Sequence, residues 1–228
     1  MVNGEPVNPL SWFRQMTAEN HAWAADLWAI RLAFESFVAS PIYASSLLLF
    51  VNVTPISIMD VQFMLMIEKL FQFTGILPQS VVFELVEYAN EWLPGLQERL
   101  QLFRNLGSKI AVDDVGMGTG DLQALVFFEP DYMKLDRSLV DGVSQSATKQ
   151  RMLRALARYG DKFHHWVAEG IEQYDDLVVT RESGFRLSQG FYWGQPLPSQ
   201  KLSTLHMDKE LYRTRMEDWT HRKAETPP

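Results

Sequence analysis

Four times along this chain a stretch of helical periodicity ends at a glycine (Gly75, Gly107, Gly160 and Gly184) a few residues before an apolar run. Glycine at that point takes the left-handed backbone that closes a helix and turns the chain into a strand. A unit repeated in this way permits few folds, because strands that alternate with helices pair in parallel and are covered by those helices. Six segments read as strands: LLLFVNVTP (47–55), VVFELVEYA (81–89), KIAVDDVG (109–116), DYMKLDRSLV (131–140), HHWVAEGI (164–171) and RLSQGFYWG (186–194). Helices are expected over 21–38, from Val61 to Gly75, and over 92–106, 121–128, 147–159, 173–183 and 199–212.

Such a sheet either closes into a barrel or stays open and doubly wound, and an eight-stranded barrel needs two more strands than these. No linker or repeat divides the chain. Residues 1–212 therefore read as one domain, and the polar tail RTRMEDWTHRKAETPP (213–228) is expected to fray. With 228 residues, 46% of them apolar, the chain can bury a large core without disulfides. The absence of cysteine rules out disulfides, thiolate nucleophiles and sulfur-ligated zinc, and it fits a reducing, cytoplasmic setting. The N-terminus lacks the basic and apolar regions of a secretory signal. The longest apolar run, Leu47 to Val51, is far short of the roughly 20 residues a membrane helix needs, so no membrane partner is expected. A net charge of −7 argues against non-specific binding to nucleic acid. A small anionic ligand would need a metal ion beside it.

Each expected strand carries polar residues in an otherwise apolar run. They are Asn52, Glu84 with Glu87, Asp113 with Asp114, Lys134 with Asp136, Glu169 with Glu172, and Gln189. Singly, each is most simply a salt bridge or a strand-end cap. Together, delivered to the C-terminal face of a barrel, they would form an acidic cup around one lysine. Carboxylate and amide oxygens suit Mg²⁺ or Mn²⁺, and a pair of such ions is a standard device for phosphate-ester hydrolysis.

The same segments resemble, in order, the diagnostic motifs of the EAL domain family. They are VNVTP (51–55), FELVE (83–87), AVDDVGMG (111–118), MKLDRSLV (133–140), VAEGIE (167–172) and QGFYWGQPLP (189–198). The likeness runs from about Val7 to Pro198 and implies a TIM-type (β/α) barrel that binds and hydrolyses cyclic di-GMP to linear pGpG. It implies metal ligation by Asn52, Glu84, Asp113, Asp114, Asp136 and Glu169, with two Mg²⁺ or Mn²⁺ ions. Lys134 would hold the attacking water or a phosphate oxygen, and Asp136 and Glu169 would help to orient or deprotonate that water. Gln189, Glu172 and Pro196 would touch the ligand, and Glu87 would anchor the loop after strand 109–115. A homodimer and an attached sensor or output domain are open under this reading.

Two departures from the family pattern stand out. The Glu-Ala-Leu segment of the opening strand is not found, so that strand and its Glu are expected upstream of Met1, with Glu5 a weak stand-in. The loop Val115-Gly116-Met117-Gly118-Thr119-Gly120-Asp121 replaces the family's Phe, Tyr and Ser positions. These departures motivate a second reading, a catalytically silent module that senses cyclic di-GMP or binds a protein.

Other residues have competing explanations. His164 and His165 open a strand, where a structural role is expected over a metal site. Phe191, Tyr192 and Trp193 could stack a base or fill the core. Lys134 could serve as a Schiff-base amine, but surrounding carboxylates would keep it protonated. Replacing it with alanine is expected to abolish turnover and largely spare the fold.

Overall fold

The computed structural model describes residues 8–40, 43, 47–86, 93–116, 121–159 and 165–197. Glu5, Glu87, Met117 to Gly120, His164, the expected helix 199–212 and the tail lie outside the described residues. The chain opens with α1 (Pro9–Ala18) and α2 (Ala22–Val38), then β1 (Leu49–Val53), α3 (Pro55–Met59) and α4 (Val61–Thr74). It continues through β2 (Val81–Leu85), α5 (Leu96–Leu106), β3 (Lys109–Val115), α6 (Asp121–Phe128), β4 (Tyr132–Leu135) and α7 (Arg137–Val140). The last elements are α8 (Ala147–Tyr159), β5 (His165–Ala168), α9 (Tyr174–Glu182) and β6 (Leu187–Ser188).

All six strands are parallel and lie side by side in chain order, the arrangement of a TIM-type barrel. Among the described residues no ladder joins β6 to β1. The expected glycine stops operate at Gly75 and Gly107, which close α4 and α5 with φ of 71° and 101°. No helix of the described residues is long and apolar enough to cross a membrane.

Three expectations need correction. Helix α1 was not foreseen; Asn8 caps it by accepting from the Ser11 amide, and Pro9 starts it with a preset φ. Strand 131–140 stops at Leu135, because the Asp136 carboxylate accepts from the Ser138 amide and starts α7 instead. Strand 186–194 shrinks to Leu187–Ser188, since Gly190 turns away at φ 150° and a turn follows over 191–193.

Strand alternation sorts the core into two faces. Val81, Phe83 and Leu85, with Ile110, Val112, Met133, Leu135, Trp166 and Ala168, pack outward against the helices in the larger cluster. Val82, Ala111, Tyr132 and Val167 form a smaller cluster on the other face, joined by Leu48 and Phe50. Phe83 meets Phe103 of α5 edge-on with ring centroids 4.6 Å apart, and both are buried. Replacing Phe83 with alanine is expected to cost about 3–5 kcal/mol in urea unfolding, the range for emptying a packed aromatic site. A loss under about 1 kcal/mol would contradict this packing.

Candidate active site

Each of the four buried members of the smaller cluster, and Phe50 packed against them, is followed two residues on and on the same face by a polar side chain. Val82 leads to Glu84, Ala111 to Asp113, Tyr132 to Lys134, Val167 to Glu169 and Phe50 to Asn52. These positions form the next layer toward the C-terminal strand ends, where barrel enzymes place their chemistry.

Lys134 is the hub of that layer. Only 7% exposed, its ammonium donates to Glu84 and lies 2.9 Å from Asp113 Oδ1 and 2.7 Å from Glu169 Oε1. Burial works against that charge, but Glu84, Glu169 and Asp113 outweigh it and push the lysine above its ordinary range. The amine is therefore held as a cation, which removes the Schiff-base alternative. One ammonium does not neutralise so many carboxylates. Burial, reinforced by the neighbouring Asp113, raises Glu84 to about 7 despite Lys134. Burial likewise raises Glu169, with Asp113 and Asp114 adding to it against Lys134.

Consecutive residues of a regular strand point to opposite faces, so Asp113 and Asp114 should not share a site. They do, because the β3–β4 register shifts between Val112 and Val115 and Asp114 takes a left-handed φ of 50°. Aspartate tolerates that conformation better than most residues, and the resulting bulge re-aims the side chain. Carboxylate oxygens of Asp113, Asp114 and Glu169 come within 4.8 Å of one another. This all-oxygen donor set fits a hard divalent cation, and Lys134 supplies positive charge at its edge.

The other predicted residues are spread around this centre. Asn52 is exposed, level with Glu84 in the β1–β2 register, beside a groove of about 680 Å³ between α1, α2 and β1. Gln189 donates to Glu169 Oε1 at 2.6 Å. Glu172 pairs with Arg137 at 2.8 Å. Asp136 spends one oxygen on capping α7 and is not in the close carboxylate trio. Pro196 is exposed beyond β6, and Glu87 lies outside the described residues. His165 sits at the opposite end of β5 from Glu169, with its ring 5.4 Å from that of Tyr132. Of the aromatic cluster, Phe191 is exposed, Tyr192 packs on the core, and Trp193 donates to Ser188 Oγ at 3.0 Å.

Sequence reasoning missed Asp26, which is buried in α2. It accepts from the Thr54 amide and hydroxyl at 2.9 and 2.8 Å, pinning the backbone just past Asn52. A buried aspartate on an otherwise apolar helix face was the available signal.

The geometry also revises the view of Lys134→Ala. Removing a buried ammonium from among three carboxylates is expected to cost the metal-free protein about 3–5 kcal/mol. The folded protein favours protonated Glu84 more than the unfolded chain does. Its contribution is therefore full below about pH 4.5 and is lost as pH rises through about 7. Urea titrations of metal-free protein from pH 5 to 8 should show stability falling, with Glu84→Gln flattening the profile. The Lys134→Ala deficit should narrow toward acid pH, and a pH-independent deficit would contradict this charge balance.

Comparison with known proteins adds to this picture. The family described as the EAL domain matches residues 4–196. An uncharacterized protein of Sinorhizobium fredii is 30% identical over 81% of this chain, and the chain spans only 22% of that relative's length. The cyclic di-GMP phosphodiesterase NbdA of Pseudomonas aeruginosa is 33% identical over 43% of this chain and 13% of its own. The Klebsiella pneumoniae BlrP1 structure, a manganese and cyclic di-GMP complex, matches with a TM-score of 0.75 and 28% identity. The match covers 84% of this chain and 49% of that one. The enzyme Bd1971, at 20% identity and a TM-score of 0.79 over 90% of this chain and 57% of its own, shares the fold.

Proposed function

The chain belongs to the EAL domain family, and from that premise we propose that it hydrolyses one phosphodiester of cyclic di-GMP to give linear pGpG. The observation that carries this reading is the strand-end layer in which Glu84, Asp113 and Glu169 surround Lys134 while the bulge brings in Asp114. The names of NbdA and of the BlrP1 complex supply the substrate.

Asn52, Glu84, Asp113, Asp114, Asp136 and Glu169 would hold two Mg²⁺ or Mn²⁺ ions, which would supply Lewis acidity for activating water and for offsetting charge on the leaving oxygen. Lys134, kept protonated by its neighbours, donates hydrogen bonds to a phosphate oxygen as negative charge grows there. Glu169, whose pKa burial raises above the ordinary carboxylate range, accepts the proton of the water it orients. Gln189 donates to the same Glu169 oxygen that Lys134 meets. Gln189, Glu172 and Pro196 line the approach of the nucleotide.

A second reading, a module that binds cyclic di-GMP without cleaving it, is favoured by the altered loop over 115–121. Incubation with cyclic di-GMP and Mn²⁺, products separated by chromatography, distinguishes the two. Chelator-sensitive pGpG that disappears in Lys134→Ala supports hydrolysis. Tight binding without product supports the receptor. For Asp113→Asn, a titration with Mn²⁺ should show affinity reduced by about tenfold or more; unchanged affinity would remove Asp113 from the ligand set.

A further inference from the structure

We propose that Arg137 is a positioning residue that clamps the turn from Glu169 to Glu172 against the start of α7 and so sets the orientation of the Glu169 carboxylate; this rests on the phosphodiesterase reading above. Three observations converge on it. The Arg137 guanidinium pairs with Glu172 at 2.8 Å. Its methylene stem lies directly over Gly170, where an added Cβ would meet Arg137 Cγ and come within 2.7 Å of its Cβ and Cδ. Gly170 itself has a φ of 68°, a backbone state that a side chain would strain.

The opposite flank of the same turn is held by backbone bonds. The Ile171 amide donates to the Gln189 carbonyl at 3.0 Å, and the Tyr192 amide to the Ile171 carbonyl at 3.0 Å. Gly190 packs so closely on the Ile171 backbone that a side chain there would not fit. The turn is thus gripped from β6 by main chain and from α7 by Arg137. Residue 136 anchors the arginine in turn, because the Asp136 carboxylate caps the helix on which Arg137 is the first residue.

The pair with Glu172 is partly exposed, with side chains 53% and 31% accessible, and such pairs add little to global stability. Its effect falls instead on geometry. Glu169, one residue before the clamped glycine, must meet Lys134 and Gln189 together at 2.7 and 2.6 Å. A reacting group misplaced by about 1 Å can lose on the order of 10²-fold in rate.

The test compares wild type with Arg137→Ala, Arg137→Lys, Glu172→Gln and the Arg137→Ala/Glu172→Gln double variant. Each is assayed for Mn²⁺ affinity by calorimetry, kcat and KM on cyclic di-GMP, thermal midpoint, and amide hydrogen exchange at Ile171. Arg137→Ala should weaken Mn²⁺ binding and lower kcat by about 10–100-fold, the range for partners that orient metal ligands. KM and the thermal midpoint should move little. Arg137→Lys, which keeps the stem over Gly170 and a cation near Glu172, should recover most of the loss. In Mn²⁺ affinity and in exchange at Ile171 the double variant should be no worse than Arg137→Ala alone, while a change in KM reports the separate ligand contact of Glu172. Wild-type Mn²⁺ affinity and kcat in Arg137→Ala would overturn the proposal. If wild type itself neither binds Mn²⁺ nor turns over substrate, the phosphodiesterase reading fails and the exchange data decide the clamp. Faster exchange at Ile171 in Arg137→Ala then supports it, and unchanged exchange overturns it.

Discussion

A single ammonium group, that of Lys134, holds together the polar layer at the strand ends. Buried carboxylates are tolerated only when charge or hydrogen bonds answer them, and Glu84, Asp113 and Glu169 all turn to this lysine. The pairing joins β2, β3, β4 and β5 across the inner face of the sheet, at the level where the small apolar cluster of Val82, Ala111, Tyr132 and Val167 ends. Because the carboxylates outnumber the ammonium, the layer carries surplus negative charge. Burial first, and the neighbouring carboxylates with it, raise Glu84 and Glu169, and the surplus is the physical basis of the divalent-cation affinity proposed above.

Most of the architecture was legible because it depends on local chemistry. Glycine stops at Gly75 and Gly107, mostly apolar strands such as β2 and amphipathic helices such as α4 state their roles within ten or fifteen residues. The polar layer was legible for a similar reason, since alternation with period two places Glu84, Asp113, Lys134 and Glu169 on one face once the strands are assigned. The rest depends on contacts that sequence spacing does not encode. The bulge that turns Asp114 toward Glu169 arises from a register shift between β3 and β4. The Asp136 cap, by contrast, is a local helix-start signal masked by the apolar run around it, and it converts an apparent strand continuation into α7. The Arg137–Glu172 pair and the grip of Asp26 on Thr54 join residues far apart in sequence.

These contacts, local at Asp136 and long-range elsewhere, fix the loops that carry the polar layer. Asp26 secures the end of β1 beyond Asn52, the Asp136 cap secures the exit from β4, and Gln189 and Arg137 flank the exit from β5. The fold thus supplies both the charge and the stiffness that the proposed hydrolytic centre requires. Membership of the EAL family accounts for the order of the motifs.

The central claim is that surplus carboxylate around Lys134 creates a divalent-metal site, and anomalous diffraction from crystals grown with Mn²⁺ tests it most directly. The account predicts a manganese peak coordinated by Asp113, Asp114 and Glu169, with Lys134 displaced from at least one of its carboxylate partners. A protein that takes up no manganese there, with Lys134 still bridging Glu84, Asp113 and Glu169, would contradict it.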